Sequence, residues 1–138
     1  VENLDYKLQN ELFGKNVTTR FENHNKKLKD KIFRFLDVNY IKEKIPEYKE
    51  INIKIFKDVP GFKLVPHFDY PSHKAFIMIN LVDNKNSTIF CDLKHNFLCE
   101  ASNKKNKGVF HILHKGPVMH HIENNSNKNR YTTIAFIK

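Results

Sequence analysis

Three residues in this chain have the types and the spacing of a metal site. His67 and Asp69 are separated by one residue, and in an extended segment residues i and i+2 point to the same face, so their side chains can converge. A third ligand must come from elsewhere, and His120 is the best candidate, with the adjacent His121 as its competitor. Two imidazoles and one carboxylate leave the opposite side of an ion open, which suits ferrous iron that binds a chelating co-substrate and O2.

A candidate carboxylate-binding residue, Arg130, lies ten residues past His120. Its guanidinium can bind a carboxylate through two parallel hydrogen bonds, which an ammonium group does less specifically. Thr132 lies two residues further on, so in a strand its hydroxyl would share the face of Arg130. Together these two residues could hold one end of an acidic co-substrate.

The elements that must position these residues are predicted to be mostly strands. The segment 51–56 alternates between apolar and polar residues, as a half-buried strand does. Short apolar runs separated by turn residues continue to the end of the chain. The eight predicted strands are 51–56, 63–67, 75–82, 88–92, 96–100, 108–113, 118–122 and 131–137. Such a series, with no convincing helix inside it, favours a β-sandwich or barrel over a parallel α/β sheet.

The first third of the chain has a mixed pattern. An amphipathic helix is predicted for 26–36, from apolar residues at helical spacing: Leu28, Ile32, Phe33, Phe35 and Leu36. The segment 39–44 either extends this helix or forms a second one, and Pro46 ends it. Upstream, 16–21 is a candidate strand.

Two motifs carry a resemblance to a known family. The first is Gly61-Phe-Lys-Leu-Val-Pro-His67-Phe-Asp69, and the second is His120-His-Ile-Glu-Asn-Asn-Ser-Asn-Lys-Asn-Arg130-Tyr-Thr132. With them, 51–137 resembles the double-stranded β-helix core of the 2-oxoglutarate/Fe(II) oxygenases, especially the compact prolyl-hydroxylase-like branch. A lone His-x-Asp pair would be weak, but this pair followed by a distal histidine and a spaced arginine is fairly specific.

The resemblance implies both a fold and an activity. The fold would be a mainly β jelly roll of about eight strands with an N-terminal helical segment. Residues 1–138 would form a single oxygenase domain, with helical support over about 1–50 and the core over about 51–138. His67, Asp69 and His120 would bind Fe(II), since the family's register favours His120 over His121. Arg130 would bind the distal carboxylate of 2-oxoglutarate.

Further implications concern the reaction and its co-substrate contacts. O2 and 2-oxoglutarate would be consumed to hydroxylate an unactivated C–H bond, with release of succinate and CO2. A protein or peptide residue such as proline is the preferred substrate by analogy alone. Asn80, on the third core strand, is a further candidate for a co-substrate contact. The remaining histidines lack matching partners and are predicted to be ordinary surface or core residues: His24, His73, His95, His111 and His114.

Composition limits the other classes of function. The net charge of +9 favours acidic ligands, but it comes almost entirely from dispersed lysines, so nucleic acid is possible without being the favoured partner. No apolar segment approaches the length of a membrane helix, about 18 residues, and no secretory signal opens the chain. Cys91 and Cys99 are predicted to be free thiols and small buried residues, which with the rest indicates a cytoplasmic protein. The chain begins at Val1, so flanking segments could hold substrate-binding elements.

Other functions remain compatible with the same residues. An oxygenase could act on a nucleobase or a free amino acid, and the positive charge mildly supports the former. A cupin-like metal-binding module or a zinc hydrolase could use the same three ligands. Arg130 separates these classes, because neither a binding module nor a hydrolase needs a carboxylate-binding residue ten positions past its metal ligand.

Overall fold

The computed structural model describes residues 2–9, 11–12, 15–69, 72–113 and 118–138. Within those residues the chain forms twelve strands and two helices. The N-terminal strands are β1 (Lys7–Leu8), β2 (Glu11–Leu12), β3 (Lys15–Asn16) and β4 (Arg20–Asn23). The helices are α1 (Lys26–Phe35) and α2 (Val38–Lys44). The remaining strands are β5 (Ile51–Asp58), β6 (Lys63–His67), β7 (Ala75–Asn80), β8 (Ile89–Cys91), β9 (Phe97–Glu100), β10 (Gly108–Ile112), β11 (Met119–Glu123) and β12 (Arg130–Ile137).

The strands form two main antiparallel sheets that pack against each other. The larger sheet has the order β1-β4-β5-β12-β7-β10, and the smaller has the order β6-β11-β8-β9. The eight strands from β5 onward therefore divide into four and four, and the chain crosses between the sheets repeatedly. This is the arrangement of a jelly roll, or double-stranded β-helix. The predicted fold class is confirmed.

The two helices cover the outer face of the larger sheet. Helix α1 begins after Asn25, whose side-chain oxygen accepts a hydrogen bond from the backbone N–H of Leu28 at 3.0 Å. Helix α2 contributes Ile41, which is buried. The helices pack against buried residues of the larger sheet: Ile53, Ile55, Ala75, Ala135 and Ile137. Because alternate residues of a strand face opposite ways, the other half of each strand faces the smaller sheet.

The predicted apolar face of α1 was too wide. Leu28, Ile32 and Leu36 pack against the sheet, but the side chain of Phe35 is 80% exposed. The helix ends at Phe35, and Leu36 adopts an extended backbone that carries its side chain into the core instead. The segment beyond forms a separate short helix, α2, and does not extend α1.

The eight predicted core strands are all present, with bounds that differ by a residue or two. The largest extension is in β5, which was predicted over 51–56 and continues through Lys57 and Asp58. It continues because both residues pair with β12, and Asp58 lies opposite Arg130. Strand β4 begins at Arg20, later than the predicted strand 16–21.

Three smaller predictions have mixed outcomes. Cys91 and Cys99 are both free thiols, and Cys91 is buried, but Cys99 is exposed on β9. Among the described residues, no helix has the length and apolar character needed to span a membrane. His114 lies outside the described residues.

Candidate metal centre

The end of strand β6 positions the first candidate ligand. Before the strand, Gly61 has φ of +94°, a conformation that residues with a side chain rarely adopt, and its N–H donates to the carbonyl of Asn124 at 2.8 Å. His67 is the last residue of β6, and its Nδ1 lies 2.7 Å from the carbonyl oxygen of Val65. A carbonyl can only accept, so Nδ1 carries a proton and Nε2 is left to bind a metal.

Strand β11 brings the distal histidine beside the first. His120 is paired with His67 on β6 and with Phe90 on β8, and it is buried. His121 is paired with Ile89 and, as the next residue of the strand, faces the other way. Of the two competing histidines, the structure therefore brings His120 to the cluster and leaves His121 outside it.

The side chains of His67, Asp69 and His120, which we call the ligand triad, meet at one point. The Oδ1 atom of Asp69 lies 3.6 Å from Nε2 of His67 and 3.4 Å from Nε2 of His120. All three potential ligand atoms lie within 4.8 Å of one another. The two imidazole rings have centroids 4.3 Å apart. Each residue thus offers one atom toward a common position that an ion could take.

The chemistry of the triad fits a divalent metal. Within the described residues, the Oδ2 atom of Asp69 is buried and has no hydrogen-bond partner, and a buried carboxylate is costly unless a positive charge compensates it. Burial alone would raise the pKa of Asp69, but hydrogen bonds and charge from His120 and His67 hold it well below its ordinary value. The carboxylate is therefore ionised at neutral pH, as metal ligation requires.

Aromatic rings surround the distal histidine of the triad. The ring of His120 lies 5.0 Å from that of Phe76 and 6.0 Å from that of Phe90. His111 packs edge-on against the same two phenylalanines, at 5.3 and 5.0 Å. Burial lowers the pKa of His111, so it is neutral at pH 7. One side of the site is thus apolar and uncharged.

Arg130 is buried at the start of β12. Its Nη1 donates to Asp58 Oδ2 at 3.1 Å, and its Nη2 donates to Thr88 Oγ1 at 3.0 Å. Its Nε is buried and has no hydrogen-bond partner in the part of the chain that the structure describes. Burial lowers the pKa of Arg130 to about 10, against the opposing effect of Asp58, and the side chain keeps its positive charge at neutral pH. A buried cation with an unused donor is suited to bind an anion.

A second arginine, which sequence reasoning did not select, shares Asp58 with the first. Arg20 on β4 donates to Oδ1 of Asp58 from Nε at 2.7 Å and to Oδ2 from Nη2 at 2.9 Å. The three residues lie opposite one another on the adjacent strands β4, β5 and β12. We call them the arginine–aspartate cluster. The available signal was that arginine is rare in this lysine-rich chain, occurring only at positions 20, 34 and 130.

The two weaker candidate contacts have different surroundings. Thr132 is fully buried, and its hydroxyl oxygen has no hydrogen-bond partner among the described side chains and backbone. Asn80 is also buried, but its amide nitrogen donates to the carbonyls of Ser102 and Lys107 at 2.6 and 2.8 Å. Its amide oxygen accepts a hydrogen bond from Asn84 at 2.8 Å. Asn80 therefore holds two loops together, an arrangement that does not favour a co-substrate contact.

One cavity joins the ligand triad to the arginines. It has a volume of about 390 Å³ and lies between the two sheets, large enough for a small organic acid and part of a substrate. Among the described residues, the charged side chains that line it are Arg20, Lys54, Arg130, Lys138 and Asp69. This surplus of positive charge favours an anionic ligand. Asn52 and Lys54 of β5, which alternation alone would place toward solvent, line this cavity.

The comparisons with known proteins find similarity in fold only. No family model matches this sequence, and no curated protein is similar to it. A prolyl hydroxylase from Trichoplax adhaerens, in complex with a hypoxia inducible factor oxygen degradation domain peptide fragment, is similar with a TM-score of 0.71 at 8% identity. The match covers 96% of this chain and 70% of that chain.

Two further solved structures are more distant. The capsular polysaccharide assembling protein CapF from Staphylococcus aureus has a TM-score of 0.45 at 18% identity, over 62% of this chain and 22% of that chain. A cupin domain from Bordetella pertussis has a TM-score of 0.42 at 12% identity, over 65% and 83% of the two chains. The likeness to the prolyl hydroxylase agrees with the double-stranded β-helix seen in the sheet topology.

Proposed function

We propose that this chain is an iron(II)- and 2-oxoglutarate-dependent dioxygenase that hydroxylates an unactivated C–H bond. The observation that carries the proposal is that the ligand triad and the buried Arg130 line one cavity. A metal-binding module or a zinc hydrolase needs no buried arginine there. A 2-oxo acid with a second carboxylate would use the metal at its 2-oxo acid end and the arginine at its other carboxylate. In the balanced reaction, one oxygen atom of O2 enters the substrate and the other enters succinate, and CO2 is released.

In this proposal the ligand triad holds the iron through two imidazole nitrogens and one carboxylate. Bound ferrous iron supplies O2 activation and the oxidation of co-substrate and substrate. The chain contributes the orientation of the ligands: the carbonyl of Val65 fixes the ring of His67, and strand pairing fixes His120 beside it. Phe76 and Phe90 keep water from one side of His120.

Arg130 would bind the carboxylate of 2-oxoglutarate that does not reach the metal. The interaction is strong because both charges lie in a water-poor interior, where electrostatic attraction is larger than in bulk water. Its position is held by Asp58 and Thr88, so little side-chain freedom is lost on binding. The hydroxyl of Thr132, which has no partner within the described residues, is a candidate second donor on the same strand face.

A peptide side chain such as proline is the substrate to test first. Val65 and Phe68, on either side of His67, are 58% and 49% exposed and offer apolar contacts close to the metal ligands. The similar prolyl hydroxylase structure contains a bound peptide fragment, which supports the choice of substrate class. We treat residues 1–138 as one oxygenase domain, because β4 of the N-terminal part pairs directly with β5 of the core.

The test is a substrate screen that follows succinate release with iron(II), 2-oxoglutarate and O2. We expect succinate to rise above the no-substrate rate when a proline-containing peptide of the right sequence is added, with a mass increase of one oxygen atom on the peptide. The His67→Ala variant is the control and should give neither product. Iron binding without any binding of 2-oxoglutarate would contradict the proposal and favour a cupin-like metal-binding module.

A further inference from the structure

We propose that Arg20 and Arg130 together bind the distal carboxylate of 2-oxoglutarate, with Asp58 holding the two guanidinium groups in place. The inference rests on the proposed function and extends it to a residue of the N-terminal part of the chain. Arg20 lies on β4, outside the eight strands of the core, and lines the same cavity as Arg130.

The charge of the arginine–aspartate cluster is unbalanced. It contains two guanidinium groups and one carboxylate, with exposed fractions of 5%, 3% and 0% for Arg20, Arg130 and Asp58. A buried charge without a partner is costly, so the net positive charge favours one further anion. The distal carboxylate of a bound dicarboxylic acid would make the count two cations and two anions.

The cluster also has hydrogen-bond donors left over. Asp58 accepts from Nε and Nη2 of Arg20 and from Nη1 of Arg130. The Nε of Arg130 is unpartnered, and no hydrogen bond is found for Nη1 of Arg20 within the described part of the chain. A carboxylate with two oxygens can therefore accept one hydrogen bond from each arginine.

The guanidinium of Arg20 is held in a fixed orientation before any ligand binds. Its central carbon lies 4.1 Å from the centre of the Phe56 ring and 4.3 Å from that of Phe62. Stacking against two aromatic rings, combined with a two-point contact to Asp58, restricts the side chain strongly. Such preorganisation favours a binding role, because little entropy is lost when the ligand arrives.

The experiment compares two ligands on iron(II)-loaded protein without O2, by titration calorimetry. One ligand is 2-oxoglutarate, and the other is pyruvate, which has the same 2-oxo acid group but no distal carboxylate. We expect Arg20→Gln to weaken 2-oxoglutarate binding about 10- to 150-fold, the value of a lost hydrogen bond between charged groups, and to leave pyruvate unchanged. Arg34→Gln is the matched control, since it removes an exposed arginine from helix α1.

A double variant keeps the test informative if Arg20→Gln alone does not fold. Arg20→Gln with Asp58→Asn removes opposite buried charges together, so it avoids leaving Asp58 without its main partner if the single variant unfolds. Because Asp58 also holds Arg130, the reference for the double variant is Asp58→Asn alone, and 2-oxoglutarate binding about 10-fold or more below that reference supports the inference. Wild-type binding by Arg20→Gln, or equal binding by the double variant and Asp58→Asn, would overturn it and leave the proposed function standing. Failure of the wild-type protein to bind 2-oxoglutarate would instead overturn the proposed function.

Discussion

Asp69 has a side chain suited to bind a cation, because one of its oxygens is buried without a partner among the residues that the structure describes. Asp69→Ala should abolish iron binding and succinate formation, as it removes the only anionic ligand of the triad. The metal-free variant should also be less stable than metal-free wild type, because the lowered pKa of Asp69 means that its contacts with His67 and His120 favour the ionised carboxylate in the folded protein. Iron titration and urea unfolding measure the two effects, with the exposed Asp30→Ala as the control. Full activity in Asp69→Ala would contradict the proposed metal site.

The two adjacent histidines of β11 give a matched pair of substitutions. His120→Ala should lose iron binding, because Nε2 of His120 lies in the ligand triad. His121→Ala should keep it, because that side chain belongs to the opposite face of the strand. Titration with iron(II) distinguishes the two. The reverse result would mean that β11 is displaced by one residue in its pairing, which exchanges the faces of all its side chains.

Arg130 should affect the co-substrate and not the metal. Arg130→Ala should weaken 2-oxoglutarate binding by about 2–5 kcal/mol, because the bound carboxylate would lose a buried charged partner. Arg130→Lys should recover only part of this, since an ammonium group keeps the charge but not the planar donors. The measurement is anaerobic binding of 2-oxoglutarate to the iron-loaded protein. Unchanged affinity in Arg130→Ala would mean that the carboxylate is held elsewhere.

At the scale of the elements, a local pattern of alternation or of short apolar runs between turn residues was enough to predict all eight core strands. It could not predict what covers each face: the polar residues of β5 line the cavity, and the extension to Asp58 depends on arginines from two other strands. His67, Asp69 and Arg130 stood out because motif spacing is local. Arg20 did not, because its partner lies 38 residues away and no short-range pattern links them.

The two helices allow a test of which apolar side chains support the larger sheet. Ile41→Ala in α2 should cost about 2–5 kcal/mol in the free energy of unfolding, because the side chain is 1% exposed and its loss leaves a cavity. Phe35→Ala should change it by only about 0.5 kcal/mol or less, because Phe35 is 80% exposed. Chemical denaturation measures both. Equal losses would mean that Phe35 packs against the sheet, as the sequence pattern had predicted.

At the scale of the whole molecule, two levels of positive charge act on an acidic ligand. The net charge of +9 attracts anions over distances comparable to the Debye length, about 8 Å at physiological salt. Inside the cavity, Arg20, Arg130 and Lys54 add short-range attraction that salt screens much less. Added salt should therefore lower the association rate of 2-oxoglutarate more than it raises the dissociation rate.

The stability of the whole chain should report the order in which metal and co-substrate bind. A ligand present at 100 times its dissociation constant stabilises the folded state by about 2.7 kcal/mol, so iron(II) should raise the melting temperature by several degrees. Adding 2-oxoglutarate should raise it further only when metal is present, because the proposed binding uses both the metal and the arginines. Asp69→Ala should show neither increase. Equal stabilisation by 2-oxoglutarate with and without metal would mean that the acid binds through the arginine–aspartate cluster alone and does not chelate the ion.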